Sequence, residues 1–144
     1  MPSVEDRVEV CTPLAEAFAY FAEFANIAEW DPGVESVRKH GSGPLALGDT
    51  YAVISRFGGR LVPIAYEVTL LESPHRICLR GLAPSGQADD DIRFEAVEGG
   101  TKITWRLDFA PKGLVANLAR PFLGILLSRL ARDTMAGIKA ASKK

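Results

Sequence analysis

A chain of 144 residues has room for one domain and little for a second. With 47% hydrophobic and 24% charged residues it sits inside the globular range, which excludes a disordered chain. Seventeen basic and eighteen acidic residues, scattered rather than clustered, give a net charge of −1 and leave no electrostatic footprint for nucleic acid.

Met1 to Cys11 has neither the charged start nor the apolar run of a secretory signal. The most apolar stretch, Leu114 to Leu130, is broken by Arg120, Pro121 and Arg129. It is too short and too charged for a span of about 20 apolar residues, so no integral membrane segment is expected. Cys11 and Cys78 are too few for a disulfide scaffold and read as buried or half-buried thiols of a cytoplasmic protein.

In chain order, Val4, Val8 and Val10 share one phase against Glu5, Arg7 and Glu9, which predicts a first strand over Val4 to Val10. Thr12 and Pro13 read as a cap and first position of a helix, with Glu16 completing a capping box. Leu14, Ala17, Phe18, Phe21, Phe24 and Ala25 then form one apolar helical face. A second short helix is predicted at Asn26 to Trp30, stopped by the turn Asp31-Pro32-Gly33.

Six strand-like runs follow, separated by hairpin-length turns: Val34–His40, Asp49–Phe57, Leu61–Leu71, His75–Leu82, Gln87–Val97 and Thr101–Phe109. Their alternation is clear where Tyr66, Val68 and Leu70 oppose Glu67 and Thr69. It recurs where Ile92, Phe94 and Ala96 oppose Arg93 and Glu95, and again along Ile103, Trp105, Leu107 and Phe109. An antiparallel meander with one apolar face needs a cover, and the remaining segment is Gly113 to Lys144. That segment reads as a long helix, mostly apolar in its first half and started or kinked at Pro121.

Four features carry a family likeness. They are Val8-Glu9-Val10 followed by Pro13 and Ala17-Phe18, and Glu29-Trp30-Asp31-Pro32-Gly33-Val34 after the helices. Tyr66-Glu67-Val68 with Glu72-Ser73-Pro74-His75-Arg76-Ile77 is the third. Phe94-Glu95 leading through Gly99-Gly100-Thr101-Lys102-Ile103-Thr104-Trp105 is the fourth. In this order the chain resembles the START-like, or helix-grip, superfamily, and within it the polyketide cyclase/dehydrase and lipid-transport (SRPBCC) type. The resemblance implies a single α+β domain over residues 1–144. A curved antiparallel sheet of about seven strands would grip a long C-terminal helix, with two short helices between strands 1 and 2. It also implies a hydrophobic cavity between sheet and helix. Members range from lipid carriers to aromatase/cyclases, so function must be argued from the cavity.

The residues expected to line it are Phe18, Phe21, Trp30, Tyr51, Val53, Ser55, Phe57, Tyr66, Val68, Asp90, Ile92, Phe94, Trp105, Leu118, Phe122 and Leu126. Phe18, Phe21, Trp105 and Phe122 would serve equally as core. Trp30, just before a turn, suits either the cavity mouth or simple packing. Ser55 and Tyr66 bring hydroxyls into the apolar layer. Strict alternation puts the Asp90 carboxylate there too, where burial costs several kcal/mol unless it is paired or protonated. The favoured placement of Asp90 is nevertheless the exposed rim, since Asp89-Asp90-Asp91 follows the loop Ala83 to Gly86. Arg56, Arg80 and Glu67 fall on the outer phase, as charge pairs worth at most about 1 kcal/mol each.

No phosphate loop, metal-ligand spacing or nucleophile elbow stands out, and no cofactor is expected. His40 and His75 are expected to face solvent. The leading expectation is a protein that binds or carries a small hydrophobic molecule of lipid, polyketide or isoprenoid type. The rival is a cyclase or dehydratase acting on a carbonyl compound in the same cavity, short of inward acid and base groups. A homodimer or interaction module using an outer surface ranks last.

Overall fold

The computed structural model describes residues 3–57, 59–111 and 135–139. Strand β1 (Ser3–Val10) leads into helix α1 (Leu14–Phe21), a 3₁₀ turn at Phe24–Asn26 and the short helix α2 (Ile27–Trp30). Six strands follow as β2 (Val34–His40), β3 (Thr50–Phe57), β4 (Arg60–Glu72), β5 (Arg76–Ala83), β6 (Gly86–Val97) and β7 (Gly100–Pro111). All pair antiparallel in one curved sheet ordered β1-β7-β6-β5-β4-β3-β2, so consecutive strands from β2 on are hairpin neighbours and β1 closes beside β7. The expected seven strands are all present, with ends shifted by a residue or two.

The helical region departs from expectation in two places. Thr12 does not cap α1: its carbonyl accepts the Thr101 hydroxyl at 2.7 Å, and Pro13 is the cap residue without a side-chain acceptor. Nor does the apolar face run unbroken to Ala25, because α1 ends at Phe21 and Glu23 turns extended. The Glu23 carboxylate there accepts from Tyr51 Oη and the Lys39 ammonium, which also lies 3.4 Å from Asp49. A part-buried charged group is held by its partners, which outweigh one further helical turn.

One phase assignment is also corrected. Between β4 and β5 the register steps from Val68↔Leu79 to Leu70↔Cys78, a bulge that gives Thr69 no partner. Tyr66 and Val68 stay on the inner face, but beyond the bulge it is Leu71 that packs against the core, not Leu70. Ala96, expected in phase with Phe94, is exposed near the end of β6.

The inner face is covered by α1, whose Phe18 meets Phe94 edge-on with ring centroids 5.0 Å apart. It is covered also by Phe24, Ile27 and Trp30 from the following turns, and by Met135 and Ile138. The long helix expected over Gly113–Lys144 lies outside the described residues except at 135–139, which are helical. A Cβ on Gly137 would come 1.8 Å from the Trp30 carbonyl oxygen, so glycine permits this helix to seat on the end of α2. On the outer face, Arg76 pairs bidentately with Asp91 at 2.9 and 3.0 Å and Arg80 with Asp89 at 3.2 Å, while Arg56 pairs with Glu35. Both histidines are exposed. Both cysteines are free: Cys78 is half-buried, and Cys11 is exposed rather than buried, because it follows the last paired residue of β1.

Candidate functional site

Side-chain size grades along the inner face. On β5 the inward residues run Ile77, Leu79, Gly81, Ala83, and on β6 they run, in the reverse direction, Phe94, Ile92, Asp90, Ala88. Both strands therefore go from large to small toward the β5–β6 hairpin. Across the sheet, Tyr66 pairs with Gly81, Gly81 with Ala88 and Ala88 with Phe109. Two residues with almost no side chain stand between two aromatic rings, and the sheet is hollow at that point. The hollow is a cavity of about 120 Å³, walled by Val53, Ile64, Leu107, Phe109 and Met135 among others.

Its polar groups are few and they converge. Asp90 is 5% exposed, and its Oδ2 accepts from Trp105 Nε1 at 3.1 Å. Trp105 lies two residues from Leu107, the register partner of Asp90, a diagonal that a long aromatic side chain can span. The other oxygen, Oδ1, is buried without a hydrogen-bond partner among the described residues. Burial pushes the Asp90 pKa up to about 7; the Trp105 bond pulls it down, and the charges of Asp31 and Asp89 push it up. Asp90 is thus an inward cavity residue and not a rim residue.

Tyr66 shares the wall, and burial, with the charges of Asp90 and Asp31, holds its phenol well above the usual range. It remains a neutral donor at any physiological pH. Gly81 makes its position possible: a Cβ there would lie 2.6 Å from the Tyr66 ring. Ser55 also reaches the cavity, its hydroxyl donating to the Gly33 carbonyl at 3.0 Å. Asp31, at the end of α2, is the third acidic group on the wall if the Tyr66 phenol is counted with the carboxyls, and its Oδ1 accepts from Gly33 N at 2.8 Å.

The structure brings Val53, Ser55, Tyr66, Asp90 and Trp105 to one cavity. Phe18, Phe21, Val68, Ile92 and Phe94 are buried in the packed core and do not line it. Trp30 is core as well: its ring packs edge-on against Phe21 at 5.7 Å and Trp105 at 5.6 Å, and its Nε1 is buried without an acceptor among the described residues. Tyr51 is fully buried but turned to Glu23, away from the cavity. Phe57, Leu118, Phe122 and Leu126 fall outside the described side chains.

Sequence reasoning missed Asp31, Gly81, Ala88 and Met135. Gly81 and Ala88 were accessible by extending the alternation two residues past Leu79 and two before Asp90. Asp31 read only as part of a turn, and nothing local marks it as inward-facing.

A seven-stranded antiparallel sheet with helices inserted after its first strand, over an apolar cavity, is a START-like fold. The chain belongs to the polyketide cyclase/dehydrase and lipid transport family, whose model matches residues 1–143. Its structure is similar to the ZhuI aromatase/cyclase from Streptomyces sp. R1128, with a TM-score of 0.83 at 17% identity over 98% of this chain and 93% of that one. TTHA0849 from Thermus thermophilus aligns with a TM-score of 0.80 at 14% identity, over 99% and 97% of the two chains. A START superfamily protein from Mycobacterium smegmatis aligns with a TM-score of 0.80 at 12% identity, over 98% and 97%. At such identities the likeness is one of fold. No curated protein matches the chain in sequence. Among the described residues, no helix is long and apolar enough to cross a membrane.

Proposed function

We propose that this protein binds a small hydrophobic molecule in the cavity beneath the β5–β6 hairpin. The observation that carries this reading is the cavity itself, largely apolar with a few convergent polar groups, the usual form of a small-molecule site. Its volume of about 120 Å³ is of the order that admits one six-membered ring. The bound part of the ligand is accordingly a ring or a short branched apolar group. Benzene titrated into the protein should shift the NMR methyl signals of Val53, Val62 and Ile64 and the Trp105 indole N–H, saturating at one site. Unchanged signals at millimolar benzene would remove the binding function.

A second reading is acid–base chemistry on a carbonyl compound in the same cavity, and one observation favours it. A carboxyl with a pKa of about 7 beside a neutral phenol offers both a proton acceptor and a donor near neutral pH. The family includes cyclases and dehydrases by its description, and ZhuI is an aromatase/cyclase. Binding ranks first because the bond from Trp105 already engages one Asp90 oxygen, and no cationic residue stands on the described wall to stabilise an oxyanion. Turnover of a short poly-β-ketone mimic by the wild-type protein, lost in Asp90→Asn, would reverse that order.

A further inference from the structure

Within the binding reading, on which this inference rests, the wall chemistry is one-sided. The charged side chains that the described residues contribute to the cavity are the carboxyls of Asp31 and Asp90. Tyr66 and Ser55 add hydroxyls, and the Ser55 proton is already committed to the Gly33 carbonyl. Asp90 is half satisfied: Trp105 serves Oδ2, and Oδ1 is an acceptor that no described residue serves. A buried acceptor left unmatched costs about 1–3 kcal/mol, more when charged. The remaining side from which a donor can arrive is the cavity.

We propose that the cavity selects small hydrophobic amines, with the apolar group against Val53, Ile64 and Leu107 and the ammonium hydrogen-bonded to Asp90. Three features of the site support this ligand class. A protonated amine brings donors and no acceptor, which suits an acceptor-rich wall. Its positive charge is favoured by the Asp90 carboxylate in a poorly solvated space, where a ligand carboxylate would set a second negative charge against it. A charge-assisted N–H···O bond to Asp90 offsets the burial that now disfavours the Asp90 anion. Among the described residues, the groups facing Asp90 are Asp31 at the end of α2, Tyr66 on β4, Trp105 on β7 and the neighbouring Asp89 on its own strand, and none of these is a cation.

The test compares benzylamine, benzene and benzoate by calorimetry and NMR on the full chain at pH 7. Benzylamine should bind at least tenfold more tightly than benzene, and benzoate should not bind at millimolar concentration. In Asp90→Asn the preference should fall to within about twofold while benzene still binds. A second readout does not depend on the variant folding. At pH 6 the Asp90 carboxyl holds its proton, so benzylamine binding to the wild-type protein should release close to one proton per ligand. Titrations in two buffers of different ionisation enthalpy measure that release, and benzene should release none. Equal affinity for benzylamine and benzene, binding of benzoate, or a preference that survives in Asp90→Asn would overturn the amine selectivity and leave a cavity for apolar rings. Failure of benzene and benzylamine alike would instead overturn the binding function itself.

Discussion

The two ends of β5 and β6 are made from the same strands, under the same register, and do opposite things. At the end near His75, Ile77, Leu79, Ile92 and Phe94 are buried to within 2% of completeness, and Phe94 meets Phe18 edge-on. At the hairpin end, Gly81, Ala83 and Ala88 leave the sheet short of side-chain volume, and Asp90 stands at the boundary between the two. The packed end holds the hairpins to α1. The hollow end is under no such demand and can keep a carboxyl with one idle oxygen. Stability and the proposed binding are thereby separated along about four residues of strand, and substitutions at the two ends should report on different quantities.

The largest effect is expected at the packed end. Phe94→Ala removes a ring that meets Phe18 edge-on and should cost about 3–5 kcal/mol in denaturant unfolding. A loss below about 1 kcal/mol would mean that the two ends are not energetically distinct.

Asp90 should produce a stability profile with an unusual slope. Its pKa rises from 3.8 to about 7 on folding. Between those values the unfolded chain has lost the proton while the folded protein keeps it, so stability falls as pH rises through that window and levels off above it. The drop from this one group is at most about 4.5 kcal/mol, at about 1.4 kcal/mol per pKa unit. Asp90→Asn should remove that component of the slope. Chemical denaturation of both proteins at pH 4.5, 6 and 8 would show it, and parallel profiles would place Asp90 in contact with water.

The smallest effect on stability, and a large one on binding, should come from Ala88→Leu. The added side chain extends into existing space, so unfolding free energy should change by no more than about 1 kcal/mol. Benzene shifts at Val53 and Ile64 should disappear. If the variant instead loses stability as Phe94→Ala does, the hairpin end is already packed.

Much of this molecule was legible in one dimension. Glycine and proline punctuation separates the strands, and a period of two assigns Val53, Ser55, Tyr66, Asp90 and Trp105 to one face, because side chains on a strand have only two directions. The order of elements carried the family likeness for the same reason. Where local rules met a competing long-range partner, they failed. Glu23 ends α1 early because Lys39 and Tyr51, 16 and 28 residues away, receive its carboxylate. Thr12 surrenders its capping role to a contact with Thr101, 89 residues on. The bulge at Thr69 exchanges Leu70 for Leu71, which no periodicity announces.

The face of each residue was thus a property of the sequence, while its neighbours were not. Asp90 faces inward by alternation alone. Its pairing with Trp105, the nearby charge of Asp31 from the end of α2, and the space left by Gly81 beside Ala88 arise only when β4, β5, β6 and β7 are laid side by side. A cavity is an absence of volume summed over several strands, and no single strand encodes a sum. Tertiary structure decided it, together with the raised pKa of Asp90, because burial and through-space charge depend on distances that the chain sets only once folded.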